Sequence, residues 1–349
     1  MKVAVLVSGG VDSSVALRLL KDQGHEVTAY YLKIWLEEDL SFLASCPWEE
    51  DLEYTQALCE QLDVPLEIVS MQTQYRNNIV AYVIDEAKSG RTPNPDVLCN
   101  QFIKFGLFFD KIDKSFEKVA TGHYAQVKEV DGIFHLYQSP DPIKDQAYFL
   151  SRLDQKQLSR SLFPVGHFTK EQVRELAKKY DLPAQSRKDS QGICFLGKIK
   201  FDEFLRHHLG EKIGDIVEYE TGSVIGKHQG FWFYTIGQRK GIGLSGGPWY
   251  VVVKDSEKNL IYISKSYYEK DKKRDELLVG NLHWITGIQP VQKELGVKLR
   301  HGPEINKCFV DYRGDKLSVR LQGQDQGIAA GQFAVFYLEN ECLGSGMIL

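Results

Sequence analysis

A five-residue apolar run, Val3-Ala4-Val5-Leu6-Val7, passes directly into Ser8-Gly9-Gly10-Val11-Asp12-Ser13-Ser14 and constrains this chain more than any other feature. An apolar run of that length without polar alternation is a strand covered on both faces. The residues after it place Val15, Ala16, Leu19 and Leu20 on one helical stripe that stops at Gly24. A strand, a glycine turn and a helix in that order form the place where an open α/β sheet binds ligands. The glycines let the backbone approach an anion, the hydroxyls of Ser8, Ser13 and Ser14 add donors, and the helix start adds free N–H groups and a positive dipole. Asp12 could help hold a cation that accompanies a phosphate, or could cap the helix. The string is neither G-x-x-x-x-G-K-[ST], which Gly222 to Lys227 misses by one residue, nor G-x-G-x-x-G.

The same alternation continues. Helices are expected over 51–62 and 75–88, and strands over 27–32, 66–69 and 118–121, an order that predicts a doubly wound parallel sheet with helices on both faces. Asp131-Gly132 between two β-like runs reads as a hairpin turn. Thr169 and Gln172 have capping-box spacing ahead of a helix over 169–180, and 201–208 reads as a short helix. Composition then shifts, with ten of the 30 glycines between Gly210 and Gly247 and a strand expected over 231–236. Six short β runs between Leu277 and Leu349 predict a small β-barrel. The expected division is 1–200 for the α/β domain, 201–272 for a small central β-rich domain and 273–349 for the barrel.

The net charge of −4 does not exclude a nucleic-acid partner, because phosphate contacts need only a local basic patch. Charge is in fact uneven: Glu37 to Glu53 holds seven carboxylates and no Lys or Arg, whereas Lys293 to Arg320 holds seven basic and four acidic residues. No window approaches the roughly 20 apolar residues of a membrane span, so no membrane association is expected and the cytoplasm is the expected location. None of the six cysteines lies in a C-x-x-C pair, which disfavours zinc ribbons and iron–sulfur chemistry. Cys46, Cys59, Cys308 and Cys342 read as structural.

Two cysteines have surroundings that suggest more. Cys99 follows Thr92-Pro93-Asn94-Pro95-Asp96-Val97-Leu98, ahead of a helix expected from about Phe102. A thiol just before a helix N-terminus is acidified, whereas the nearby Asp96 carboxylate would oppose this; Asp96 could also exchange protons there. Cys194 lies in a polar stretch beginning Ser186-Arg187-Lys188-Asp189, whose cations would favour thiolate. A structural role remains open for both on this ground alone.

SGGVDSS resembles the PP-loop of the ATP pyrophosphatase superfamily, which implies ATP as substrate with Mg²⁺. Together with CPWEED (46–51), TPNPDVLCN (92–100), ATGHYA (120–125), KDQAYFL (144–150), SQGICFLG (190–197) and TIGQRKGIG (235–243), in this order, the whole chain resembles the tRNA-specific 2-thiouridylase (MnmA) family. The resemblance implies that ATP activates C2 of the wobble uridine of tRNA as an adenylate, and that Cys194 carries a persulfide supplied by a sulfur-relay donor protein. Cys99 would resolve it, leaving a Cys99–Cys194 disulfide for a reductant, with Asp96 as general acid/base. It also implies an ATP site of Leu6, Val7, Ser8, Gly9, Gly10, Val11, Asp12, Ser13, Leu32 and Gly122, with no protein metal site. Asn94, Pro95 and Asp96 would meet the target base, and His123, Lys144, Asp145, Gln146, Arg300, His301 and Gln332 would meet tRNA. Leu32 and His301 stand where the family usually has Met and Tyr.

Overall fold

A computed structural model describes residues 1–34, 48–189, 199–266, 274–325 and 327–349. Cys46 and Cys194, and with them the SQGICFLG stretch, lie outside the described residues.

The opening run forms β1 (Lys2–Val7), followed by α1 (Val11–Asp22), β2 (Glu26–Lys33), α2 (Trp48–Leu62) and β3 (Leu66–Ser70). With β4 (Lys118–Ala120) and β7 (Ser161–Leu162) these strands make one parallel sheet in the order β3-β2-β1-β4-β7. Successive side chains of β1 face opposite ways. Ala4 and Leu6 enter one buried cluster, whereas Val3, Val5 and Val7 enter another with Val15, Leu17 and Leu20 of α1. Both faces are therefore covered, which is why the run shows no polar alternation.

The first cluster is filled by two helical segments. α3 runs over 72–88 and α4 over 95–111, each with a widened stretch, at Arg76–Val80 and Cys99–Leu107. Tyr30 of β2 packs edge-on against Phe108 of α4 at 5.2 Å. α5 (Lys170–Lys179) opens with the expected capping box between Thr169 and Gln172.

The Asp131-Gly132 turn joins β5 (Ala125–Val130) to β6 (Ile133–Gln138), and both turn residues have positive φ, as a two-residue hairpin loop requires. This hairpin lies in the first segment of the chain but does not join the parallel sheet. β6 pairs with β17 (Glu341–Ile348) through Leu136 and Tyr137, extending the C-terminal sheet. The remaining barrel strands are β12 (Glu276–Trp284), β13 (Glu294–Lys298), β14 (Asn306–Arg313), β15 (Lys316–Leu321) and β16 (Phe333–Leu338). They run β12-β15-β14-β13-β16-β17, and a further β12–β17 pairing closes the ring. A closed ring leaves no free edge within the six strands.

Between these bodies, α6 (Phe201–Leu209) precedes a four-stranded sheet of β8 (Gly214–Glu218), β9 (Val224–His228), β10 (Tyr250–Asp255) and β11 (Leu260–Ser264). The strand expected over 231–236 is not there: Phe231–Phe233 form a single 3₁₀ turn. Gly230, at φ 151°, turns the chain, and the aromatic rings pack instead of pairing their backbone, Phe231 into the central core and Phe233 under the Arg206 guanidinium of α6. Among the described residues no helix is long and apolar enough to cross a membrane.

Candidate active site

The loop after β1 is cross-braced by its own hydroxyls. Ser13 Oγ accepts from the Ser8 N–H at 3.2 Å and donates to the Gly10 carbonyl at 3.1 Å, and Ser14 Oγ donates to the same carbonyl at 2.8 Å. Two glycines are sterically required. A Cβ at Gly9, where φ is +69°, would lie 2.5 Å from the Asp51 carbonyl oxygen. One at Gly122 would lie 2.7 Å from the Ser13 nitrogen. Gly122 thus lets the turn after β4 close against the first residues of α1.

Asp12 does not cap α1. Gly10 is the N-cap and no side chain bonds there. Asp12 Oδ1 instead accepts from the Tyr124 hydroxyl at 2.7 Å and from Lys170 Nζ at 2.6 Å. Lys170, first residue of α5, reaches Asp189 at 2.9 Å as well. Lys144 and Arg174 also converge on Asp189, each at 2.5 Å. These cations hold the Asp189 carboxyl well below the usual range despite its partial burial. Arg187 donates to the Gly9 carbonyl at 2.9 Å and pairs with Asp51 at 2.9 Å. Its charge is therefore directed at the loop and at α2; Cys194, whose thiolate it was expected to favour, lies outside the described residues.

Cys99 also differs from expectation. It does not precede a helix; α4 begins four residues earlier, with Pro95 in the first turn and Asn94 as N-cap. Proline is favoured at that position because it has no N–H to leave unpaired and its φ is already helical. The thiol is 2% exposed and burial pushes it up to about 11, with Asp96 acting in the same direction; Lys104 and Tyr75 oppose this. Cys99 is a protonated thiol at neutral pH. Leu6 is buried in the same cluster, and the half-buried Leu32 packs against it.

The residues around Asn94 converge on the seam between α4 and the barrel. Asn94 Nδ2 donates to Gln332 Oε1 at 3.1 Å and to the Tyr148 hydroxyl at 3.3 Å. Gln332 Nε2 donates to the carbonyls of Thr92 and Pro93, at 3.2 and 3.0 Å. His301 stacks on Phe149 with centroids 4.6 Å apart, and its Nε2 lies 3.0 Å from the Asp145 carbonyl oxygen. Burial lowers the His301 pKa, against an opposing field that includes half-buried Asp96. Arg300, half exposed at the barrel surface, pairs with Asp325 at 2.7 Å.

The 144–146 triplet joins this seam to the loop after β1. Lys144 belongs to the Asp189 cluster, and Gln146 exchanges hydrogen bonds with the backbone of Tyr124, whose hydroxyl holds Asp12. The Asp145 carboxylate turns inward and pairs with Lys298 of β13 at 3.1 Å, both side chains at most 1% exposed. It is spent on the protein's own seam. His123 sits elsewhere, hydrogen-bonded to Thr121 at 2.7 Å with its ring against Phe105 and Phe163. Burial, then Lys104, keep it neutral. Sequence reasoning missed Tyr124, Lys170, Arg174 and Asp189. Tyr124 and Asp189 fall within stretches already singled out, 120–125 and 186–189, and the capping box sets the start of α5 and hence the position of Lys170.

Cys59 and Cys308 are buried thiols pushed up to about 11 and about 12, and Cys342 is raised further by burial. They have the character of small core residues.

Three family models match the chain: a tRNA methyl transferase HUP domain over residues 1–198, a tRNA methyl transferase PRC-barrel domain over 202–265, and an aminomethyltransferase β-barrel domain over 274–348. The chain is 45% identical over 355 residues to the tRNA-specific 2-thiouridylase MnmA of Parabacteroides distasonis, covering 100% of this chain and 99% of that one. It is 46% identical to MnmA 1 of Bacteroides thetaiotaomicron and 43% identical to MnmA of Porphyromonas gingivalis, with the same coverage.

Proposed function

This chain belongs to the tRNA-specific 2-thiouridylase family, and from that premise we propose that it is a tRNA-uridine 2-sulfurtransferase that uses ATP to thiolate the wobble uridine in the cytoplasm. The observation that carries the reading is the hydroxyl-braced glycine loop after β1, closed against Gly122, in a chain 45% identical over its full length to a tRNA-specific 2-thiouridylase. Activation on that loop and sulfur chemistry at the cysteines would then act on one bound base.

ATP would lie over residues 6–13, with its adenine toward Leu32 and its phosphates on the loop amides and the start of α1. Lys170, Lys144 and Arg174, gathered at Asp12 and Asp189, would offer their cations to the β- and γ-phosphates. Asp12, whose carboxylate is the hard oxygen such an ion takes, would help hold a Mg²⁺ accompanying the triphosphate, which would supply neutralisation of the pyrophosphate charge. The uridine O2 attacks the α-phosphorus, pyrophosphate departs, and the base carries AMP at C2. Oxygen leaves far more readily as AMP than as oxide or hydroxide.

The second half uses the cysteines. The terminal sulfur of a Cys194 persulfide, charged by a relay protein, attacks C2 and AMP leaves with the oxygen. Cys99 sulfur then attacks Cys194 Sγ. The sulfur–sulfur bond breaks, the electron pair stays with the sulfur on C2, and a Cys99–Cys194 disulfide forms. The two cysteines are oxidised as the sulfane sulfur is reduced, so a two-electron reductant must reset them. Sulfide released first from Cys194 gives the same balance. Asp96, three residues before Cys99, would take the thiol proton. A bound base at the Asn94, Pro95 and Asp96 face must leave its stack, a cost already reduced in an anticodon loop.

Incubation with unmodified tRNA, Mg²⁺-ATP and a persulfide donor should yield 2-thiouridine on nucleoside mass analysis, with one AMP per thiolated base. AMP formation without tRNA on a small substrate would replace this reading with that of a small-molecule ligase.

A further inference from the structure

The TIGQRKGIG stretch of the central domain is used by none of the chemistry above. It forms an irregular loop between Phe231–Phe233 and β10. Ile242 and Trp249, 7% and 8% exposed, pin it to the central core. Around them Arg239, Gly241, Gly243, Leu244, Gly247 and Pro248 line a depression of about 480 Å³. Three observations describe what it could hold.

First, the loop's charge is uncompensated. From Thr221 to Val253 there are three Lys or Arg residues and no Asp or Glu. Lys227 is paired with Asp215, but among the described residues Arg239 and Lys240, both exposed, have no ionic partner. Second, the backbone is open. Among the described residues no N–H from Arg239 to Gly247 donates to the protein. Gly241 and Gly243 have φ of +79° and +76°, the left-handed conformation that anion-binding nests use at alternate positions. Third, an aromatic floor is present: Trp249 lies in the depression, and Lys265 stands over its ring at 4.5 Å.

We propose that this loop is a second tRNA-binding site, remote from the reacting base, which grips the phosphate backbone through Arg239, Lys240 and the open amides. The proposal rests on tRNA being the substrate. A polyanion fits because the loop offers cations and backbone donors with no carboxylate from Thr221 to Val253, and phosphates on one backbone recur at a spacing a loop can follow. The site adds affinity and register rather than chemistry.

The test compares wild type with Arg239→Ala/Lys240→Ala and Arg239→Gln/Lys240→Gln. Unmodified tRNA binding is measured by anisotropy between 50 and 200 mM KCl, and thiolation is measured with both full tRNA and a bare anticodon stem-loop. The proposal expects severalfold weaker tRNA binding and a log Kd–log salt slope shallower by roughly 1 to 2. It also expects a raised KM for full tRNA, with a smaller effect on the stem-loop. Thermal melts matching wild type show that the variants are folded, and the Gln pair keeps the side-chain bulk. Unchanged affinity and slope in folded variants would overturn the proposal. So would unchanged tRNA binding with slower turnover only on a protein persulfide donor, which would make the loop a donor-docking surface. Wild type that binds tRNA but forms no 2-thiouridine would sink the functional reading while leaving the binding comparison interpretable.

Discussion

Lys170 Nζ lies 2.6 Å from Asp12 Oδ1 and 2.9 Å from Asp189 Oδ1, so one ammonium at the head of α5 ties the start of α1 to a carboxylate 177 positions along the chain. Its side chain is 12% exposed, which makes it the most protected cation of the cluster. A triphosphate on the loop would compete with both carboxylates for it.

Lys170→Met should therefore weaken ATP binding by about tenfold or more, with Lys170→Arg partly restoring it, because a charge-assisted contact to phosphate contributes about 1.5–3 kcal/mol. Titration with a fluorescent ATP analogue reads this directly. Equal affinities for wild type and Lys170→Met would remove Lys170 from the nucleotide site.

The glycine contacts make a separate forecast. Gly122→Ala places a Cβ 2.7 Å from the Ser13 nitrogen, and backbone cannot step aside as a flexible side chain can. Gly122→Ala should lose most ATP affinity by pushing the turn off α1, whereas Gly132→Ala, with nothing within 4 Å of its Cβ, should bind ATP normally.

The Asp145–Lys298 pair should matter for stability. Removing Lys298 alone strands a buried carboxylate, so Lys298→Ala should cost about 3–5 kcal/mol in urea unfolding. The double change Asp145→Asn/Lys298→Met should cost less than Lys298→Ala. A loss under about 1 kcal/mol for Lys298→Ala would mean that the pair does not hold the seam.

For Cys99, burial favours the neutral thiol over the thiolate and raises the pKa to about 11. Its alkylation by iodoacetamide, followed peptide by peptide, should be slow at pH 7 and rise about tenfold per pH unit until pH approaches that value. Rapid labelling at pH 7 would show a thiolate already present in the resting protein.

Local patterns made much of the fold legible. The β1–loop–α1 unit, the hairpin at Asp131-Gly132, the Thr169 capping box and the six barrel strands each depend on residues within a few positions of one another. The errors arose where a local signal had two uses. The helix is expected only from about Phe102, but Pro95 starts it, and that puts Cys99 inside α4 rather than ahead of it. The aromatics at 231–236 have strand propensity, but their rings had better packing available in a turn. What stayed hidden was long-range. Arg187 meets Gly9 across 178 positions and Lys170 meets Asp12 across 158, and no spacing rule connects such residues. The bond between Asn94 and Gln332 was hidden too: the family resemblance assigned one to the target base and the other to tRNA, and they meet across 238 positions.

The central claim is that two cysteines pass one sulfur atom to tRNA. The most direct measurement is a single turnover of wild type, Cys99→Ser and Cys194→Ser, each with unmodified tRNA, Mg²⁺-ATP and a persulfide donor, without reductant. Nucleosides and cysteine peptides are then resolved by mass. The account predicts one equivalent of 2-thiouridine and a Cys99–Cys194 disulfide in wild type, and neither product in the two variants. Full thiolation by Cys99→Ser, or 2-thiouridine in wild type with both cysteines still reduced, would contradict it.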